Sequence, residues 1–516
     1  MMGARSERQR LFRSGPHVGT RSLFSLLAAA SAVAAGAIVT GHLSAFGIPS
    51  LPPTVIVAGA LFVAALPLML YNWRAAAAVF LVWLLIEDLF RKLAGNDLSF
   101  YFVKDVLYAV LLTAVVTDPT FRTTWRIATG NARWWLYALM GWAVVMSIPT
   151  ALQDWRLPLV GLRLDFLYVP LIVLGYRIAR ELGTLQRWLV ALSLLGGAAS
   201  LIGVVQAFIG PSFLAPSVPT PGLRHLVLIR GLPESGDVYR PTGTFVEPGR
   251  FASMALVTVA MGLTATLICR GRMRVWALAA AMCAVGAAWV SGGRATFLAG
   301  LGLVAIAALG TRPARDRGFP GKAFATVGIA LASIVLLATF SPALYQSRLV
   351  WYQATLDPRS SDNEWSFRWN AYATDTVRGI GLGGLVGMGT GQESLGKQYL
   401  YGGPERTPAG LYQVEAGYGS VAIEWGIVGL ALWIGWSVAW TRRQWRAVGA
   451  ARGSSVASVG IVLLGWMLFF LFFGFFGGKA AFQNYFTNAY FWLLSGIIFA
   501  LPLAARAQDG SVRASA

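Results

Sequence analysis

The chain has 516 residues, 56% of them apolar and only 12% charged, with a formal net charge of +20. That balance excludes an ordinary soluble domain. It also excludes a nucleic-acid binder, because no soluble domain is available to gather the Lys and Arg, so the positive charge has to be read by membrane topology instead.

The N-terminal arginines Arg5, Arg8, Arg10 and Arg13 lead into an apolar stretch from Leu23. A small-x-small site there resembles a signal-peptidase cut, but a retained first span is the expectation. Apolar segments follow at 23–41, 54–71, 75–90, 100–117, 133–151, 157–179, 187–210, 251–269, 275–291, 295–310, 323–340, 416–440, 455–477 and 484–503. Each is long enough to cross a bilayer as a helix, giving about fourteen crossings. Lipid offers no partner for unpaired backbone groups, and the segments are too long for barrel strands. The expected fold is therefore an all-α polytopic membrane protein with about 12–14 transmembrane helices and a large extracytoplasmic loop folded as a cap. It divides into a basic cytoplasmic tail (1–22), N-terminal helices (23–210), an outer loop (211–250), helices (251–340), the cap loop (341–415), C-terminal helices (416–503) and a cytoplasmic tail (504–516).

With the N-terminus in the cytoplasm, the inner loops become "DPTFRTTWR", "RIARELGTLQR", "CRGRMR", "TRPARDRGFPGK" and "TRRQWRAVGAAR", nearly all rich in arginine. The outer segment 341–413 instead balances Arg348, Arg359, Arg368, Arg378, Lys397 and Arg406 against Asp357, Asp362, Glu364, Asp375, Glu393 and Glu405. Its aromatic residues, among them Trp351, Tyr352, Trp365, Trp369, Tyr372, Tyr399, Tyr401 and Tyr412, argue for a folded segment over a floppy tether. Cys269 and Cys283 lie in or beside apolar spans and imply neither a disulfide framework nor a metal cluster.

Charge inside apolar spans costs about 2.5–3.5 kcal/mol per residue at mid-helix, so its depth is informative. In this topology Glu87, Asp88, Lys104, Asp105, Arg163, Asp165, Arg294 and Glu424 all fall toward the outer leaflet. Taken pair by pair, they read as interfacial ion pairs, Asp165 with Arg163 or Lys104 with a carboxylate. As a group they suggest a polar cavity open to the outside. Glu415 and Glu424 are nine residues apart, on opposite helix faces and about 13 Å apart along the axis, so they cannot serve one site together. Glu415 belongs at the helix mouth, while Glu424 reads as a helix-packing partner of a basic or hydroxyl side chain.

Four stretches, in order, resemble the O-antigen ligase and polymerase superfamily of bacterial membrane glycosyltransferases. "YRPTGTFVEPGRFA" is similar to R-x-x-G-T-F-x-x-P-x-x-F-A, and "SGGRATFLAGL" resembles an S-x-S-R-x-x-x-L turn centred on Arg294. "RWNAYATDTVRGIGLGGLVGMGTG" resembles an Arg-led, Gly-rich segment with Arg368 leading. "VEAGYGSVAIEWGIVGL" is similar to H-N-x-x-L-x-x-x-x-E-x-G-x-x-G from Glu415 through Glu424, Gly426 and Gly429, with glutamate in place of the histidine and Ala416 in place of the polar residue after it. The resemblance covers about 240–430.

It implies transfer of a glycan from a polyprenyl diphosphate carrier to an acceptor hydroxyl at the outer leaflet of the bacterial inner membrane, without metal, nucleotide or other cofactor. The implied partners are the lipid-linked donor, a growing polysaccharide or lipid acceptor, membrane lipids, and flippase and chain-length regulator proteins. Arg294 and Arg368 match the arginines that grip the diphosphate, and position 415 matches the histidine that acts on the acceptor. Guanidinium forks bind phosphate and stabilise the charge that develops on a departing diphosphate, which suits arginine better than lysine. Arg250 and Arg240 are further diphosphate candidates, with a loop ion pair as the alternative. Glu415 could take the acceptor proton, or merely cap its helix. Glu247, His225, Arg163, Asp165 and Glu424 are secondary candidates.

The Gly379, Gly381 and Gly384 spacing satisfies G-x-G-x-x-G, but no strand-helix-strand unit surrounds it; close backbone packing or a turn over the cavity is the expected use. Asp362 and Glu364 are too few ligands for a metal site. Loss of the histidine favours a polymerase of exopolysaccharide or O-antigen repeats, with a ligase second and a transporter or flippase as the rival from another class.

Overall fold

The structure, a computed structural model, describes residues 69–70, 72–93, 99–214, 228–232, 236–310, 342–357, 364–400 and 414–515. The expected spans 23–41 and 323–340, and all but the end of 54–71, lie outside the described residues, as does His225.

The chain divides into two compact units, one of Met1–Phe80 with Asp105–Asp118, the other of Leu81–Lys104 with Pro119–Ala516. In the smaller, Phe80 packs on Tyr108 with ring centroids 5.4 Å apart. Helices α1 (Trp73–Leu93) and α2 (Ser99–Val116) each start in one unit and end in the other. The larger unit continues through α3 (Phe121–Thr129), α4 (Ala132–Val145), α5 (Ser147–Ala151), α6 (Arg156–Phe166), α7 (Leu171–Ile178) and α8 (Leu182–Ile209). After a ribbon of β1 (Ile229–Leu232) and β2 (Gly236–Tyr239) come α9 (Pro248–Ile268), α10 (Gly271–Val290), α11 (Arg294–Gly310), α12 (Pro342–Leu356), α13 (Glu364–Gly383) and α14 (Lys397–Leu400). The last elements are α15 (Gly417–Ala450), α16 (Ala457–Leu468), a π-turn (Phe469–Gly474), α17 (Lys479–Gln483) and α18 (Tyr485–Ser515).

Among the described residues, eight helices or helix pairs are long and apolar enough to cross a membrane: Ala132–Ala151, Arg156–Ile178, Leu182–Ile209, Pro248–Ile268, Gly271–Val290, Gly417–Ala450, Ala457–Gly474 and Tyr485–Gln508. The protein is thus an all-α polytopic membrane protein. Three features refine these expectations. The segment 211–250 contains an antiparallel ribbon, with Ile229 opposite Tyr239 and Leu232 opposite Gly236. The span expected at 157–179 is present as Arg156–Ile178, with a turn between α6 and α7 where Pro170 lacks the N–H that a continuous helix would need. The span at 416–440 runs on to Ala450 but is interrupted at Gly426.

Helix pairs α9/α10, α8/α10, α8/α9, α7/α18, α13/α15 and α15/α18 make the main contacts. Without a hydrophobic drive between helices in lipid, small residues and close backbone approach do the work. Gly175 and Gly496 show this: a methyl group on either would overlap backbone carbonyls of the facing helix, at Leu493 and Ile172 respectively. Around α15 the filling is aromatic, with Trp433 stacked on Phe475 at 4.3 Å and edge-on to Phe482 at 5.0 Å.

The interruption in α15 has a specific cause. Gly426 adopts φ +66° and ψ −170°, a conformation open to glycine, and a side chain there would overlap the Leu385 carbonyl. The glycine-rich segment after α13 fills the gap. Met388 N–H donates to Ile423 O (2.7 Å), Gly389 N–H to Glu424 O (2.9 Å), and Ile427 N–H to Gly384 O (3.0 Å). Gly379–Gly389 is therefore a backbone-packing segment, and the glycine pattern serves close approach. Gly426→Ala is expected to destabilise the protein by about 1–3 kcal/mol from strain alone. An unchanged thermal unfolding temperature in detergent would contradict this.

Candidate functional site

Three groups of buried charge lie in the larger unit. The first forms where α10 gives way to α11. Helix α10 ends at Val290, and Gly292, at φ +70°, turns the chain so that α11 starts on Arg294. Ser291 stitches the turn, its hydroxyl donating to Ala288 O (2.7 Å) and accepting from Gly293 N–H (3.2 Å). The first residue of a 17-residue helix thus carries a guanidinium where the helix N-terminus already favours an anion. Arg294 is 7% exposed and stands 5.4 Å from the Trp351 ring centroid.

Two other arginines join it. Arg240 follows β2 directly; its N–H donates to Leu228 O (2.7 Å) and its Nε reaches Ser291 O at 3.3 Å, on the same turn. The loop behind it is fastened by Gln206, whose Oε1 accepts from Thr242 N–H (2.9 Å) and Gly243 N–H (2.8 Å), and by Lys92, whose Nζ donates to Thr242 Oγ1 and Gly243 O, both at 2.7 Å. Arg348, on α12, donates from Nη2 to Tyr239 O and lies 5.4 Å from the same Trp351 ring. Tyr352, one residue past Trp351, donates to Trp289 O at 3.2 Å, and its hydroxyl feels the fields of Arg348, Arg294 and Arg240 together. Burial, with the Arg240 charge adding, pushes the Arg348 pKa down to about 10, so the guanidinium stays charged at neutral pH.

The second group joins Glu87, Asp88, Arg91, Lys104 and Arg250. Lys104 Nζ contacts Glu87 Oε1 at 2.9 Å and lies 3.0 Å from the Tyr101 ring centroid. Asp88 accepts from Arg91 (3.0 Å) and Arg250 (3.2 Å). Arg250 also meets Glu247 at 3.5 Å, so this diphosphate candidate is held by carboxylates; Glu247 itself is exposed. Arg163 lies over Tyr101 at 5.2 Å.

The third group answers for two carboxylates. Asp165 pairs with Lys479 at 3.3 Å rather than with Arg163, and Glu424 pairs with the same lysine at 2.6 Å. Gln483 adds a hydrogen bond to Asp165 (2.9 Å), and Glu393 N–H donates to Glu424 (2.9 Å). Burial alone would lower the Lys479 pKa, but the Asp165 and Glu424 carboxylates outweigh it and hold it above the ordinary lysine value. Glu424 is therefore engaged in helix packing.

The remaining candidates sit on other elements. Arg368, on α13, donates to the Tyr372 hydroxyl one turn on (2.9 Å), and Tyr372 packs edge-on against Phe476. Glu415 is exposed at the mouth of α15, two residues before its first turn, and its N–H donates to Asp375 Oδ2 at 2.8 Å. Asp362 and the Glu364 side chain lie outside the described residues, and no group of three or more His, Cys, Asp or Glu able to hold a metal occurs among the described residues.

Sequence reasoning brought Arg240 and Arg294 forward but missed Arg348, Trp351 and Lys479. Each had a signal: Arg348 and Trp351 are three apart on one helix face, and Lys479 is a lone cation in an aromatic run. Set against known proteins, the chain matches no family model and no curated protein.

Proposed function

We propose that the protein is a membrane glycosyltransferase that uses a polyprenyl-diphosphate-linked oligosaccharide to polymerise a surface polysaccharide, exopolysaccharide or O-antigen, at the outer leaflet of the inner membrane. The observation that carries this reading is the gathering of Arg240 and Arg294, from two separate motifs, at one helix N-terminus. Cations and helix amides converging at one point suit a diphosphate. Both termini are then cytoplasmic and the 341–413 segment, with α12 and α13, forms the outer cap.

In this reading the acceptor hydroxyl attacks the anomeric carbon as the bond from that carbon to the diphosphate oxygen breaks. The diphosphate leaves with the electron pair, and the arginines stabilise its growing charge. The hydroxyl proton goes to the exposed carboxylate of Glu415. A single displacement inverts the anomeric configuration. Arg368, four residues from Tyr372 on α13, is the further arginine of the diphosphate grip. A ligase that transfers the glycan to a lipid or protein differs only in its acceptor.

A transporter of lipid-linked sugars is the second reading, favoured by the broken helix α15 with buried Asp165, Lys479 and Glu424 beside the break. Reconstitution into liposomes with lipid-linked donor separates the two. Arg294→Ala and Glu415→Gln are each expected to abolish most polymer formation. Polymer formation intact in both, with donor translocation lost, would establish the transporter instead.

A further inference from the structure

Arg348 is a buried charge that the resemblance does not assign and that no ion pair among the described residues absorbs. Its side chain is fully buried, and among the described residues no carboxylate pairs with it. Nη2 is used by the Tyr239 carbonyl, while the N–H groups on Nε and Nη1 meet no acceptor among the described residues. By contrast, Lys479 has two carboxylates and Lys104 has one. A buried cation without a counter-ion is costly, and a buried donor without an acceptor adds to that cost. The Tyr239 carbonyl and the Trp351 ring offset that cost only in part.

Its placement says what would. The Trp351 ring lies 5.4 Å from both the Arg348 and Arg294 guanidinium carbons. Nη1 of Arg348 is packed on the turn that launches Arg294: a Cβ on Gly292 would sit 3.1 Å from it and would overlap Trp351. Arg348 and Trp351 therefore set the height of that turn, and with it the position of Arg294.

We infer that Arg348 is a positioning residue and third cation of the anion site, acting on a diphosphate bound at Arg294 through the Trp351–Gly292 contact and through its own uncompensated charge. This rests on the diphosphate reading above. In a low-dielectric interior an unscreened charge acts over more than one contact distance, so Arg348 need not touch the ligand to strengthen its binding.

The test uses the full chain in lipid nanodiscs and inorganic pyrophosphate as probe, with Arg348→Met, Arg348→Lys and Arg294→Ala. Methionine keeps much of the packing against Trp351 while removing the charge. Arg348→Met is expected to weaken pyrophosphate binding at least tenfold at low and high salt alike, and to leave the unfolding temperature without pyrophosphate at or above that of the wild type, because a buried charge without a counter-ion is gone. Arg348→Lys is expected to recover most of the binding. If Arg294→Ala loses binding while Arg348→Met binds as the wild type does, the inference falls and the diphosphate reading stands. It falls equally if Arg348→Met unfolds at a lower temperature and Arg348→Lys does not recover binding, which marks a structural post. If neither the wild type nor any variant binds pyrophosphate, both fall together.

Discussion

Replacing Lys479 with methionine is expected to cost the folded protein about 3–5 kcal/mol, the largest stability loss of any single change considered. Asp165 and Glu424 are both fully buried and both face this one ammonium, at 3.3 and 2.6 Å. Removing it leaves two like charges together in an apolar interior, the case in which a buried pair is most costly to break. The damage would spread, because the triad and Glu393 tie four parts of the chain: Asp165 on α6, Glu424 just before the break in α15, Lys479 on α17, and Glu393, four residues past the segment that fills that break. The triple variant Asp165→Asn, Glu424→Gln, Lys479→Met carries no buried charge at these positions, and is expected to recover much of the loss. Unfolding temperatures of the two variants in the same detergent check this. Equal values would show that shape, not charge, holds the triad together.

Under the proposed glycosyltransferase reading, Arg294→Ala is expected to lower glycan transfer by about 10²–10³-fold, in line with removing a donor aimed at charge that develops in the transition state. The loss should fall mainly on turnover if the guanidinium grips the departing diphosphate more tightly than the bound donor, and on KM if it grips both alike. Arg294→Lys should recover part of it, since lysine supplies charge without the planar fork. Arg240→Ala should behave similarly but less severely, because that side chain also serves the Ser291 carbonyl at the end of α10. Arg250→Ala should act chiefly on stability, through Asp88 and Glu247. Initial rates at several donor concentrations separate the three.

The membrane class was legible in the sequence because apolar length is a direct consequence of bilayer thickness. Eight of the expected spans reappear as long apolar helices, seven of them within about five residues of their expected ends and one, at 416–440, running ten residues further to Ala450. What the sequence hid were backbone events. The interruption at Gly426 depends on partners from residues 384–389, some forty positions earlier in the chain, and no local pattern announces such a long-range hydrogen bond. The ribbon at 229–239 hid in a stretch too short and too rich in turns to alternate clearly.

Part of the candidate site could be named from the sequence for a different reason. Arg240 and Arg294 sit in motifs with turn residues around them, so glycine and proline flagged both. Arg348 sits in an unremarkable helical stretch, and what sets it apart, a buried guanidinium with no carboxylate partner among the described residues, is revealed only by three-dimensional packing. The charges at 87, 88, 165 and 424 illustrate the opposite error. As a list they suggested an open polar cavity, whereas in space they are paired and buried. Pairing of that kind contributes mainly by avoiding the larger cost of an isolated charge.

The most direct measurement is an electron cryo-microscopy map of the full chain bound to a non-reacting polyprenyl diphosphate analogue. Diphosphate density within hydrogen-bond reach of Arg294 and Arg240, beside Trp351, is the expected result. Diphosphate density at the Arg91, Lys104 and Arg250 cluster, or on the face of the arginine-rich loops, would contradict it.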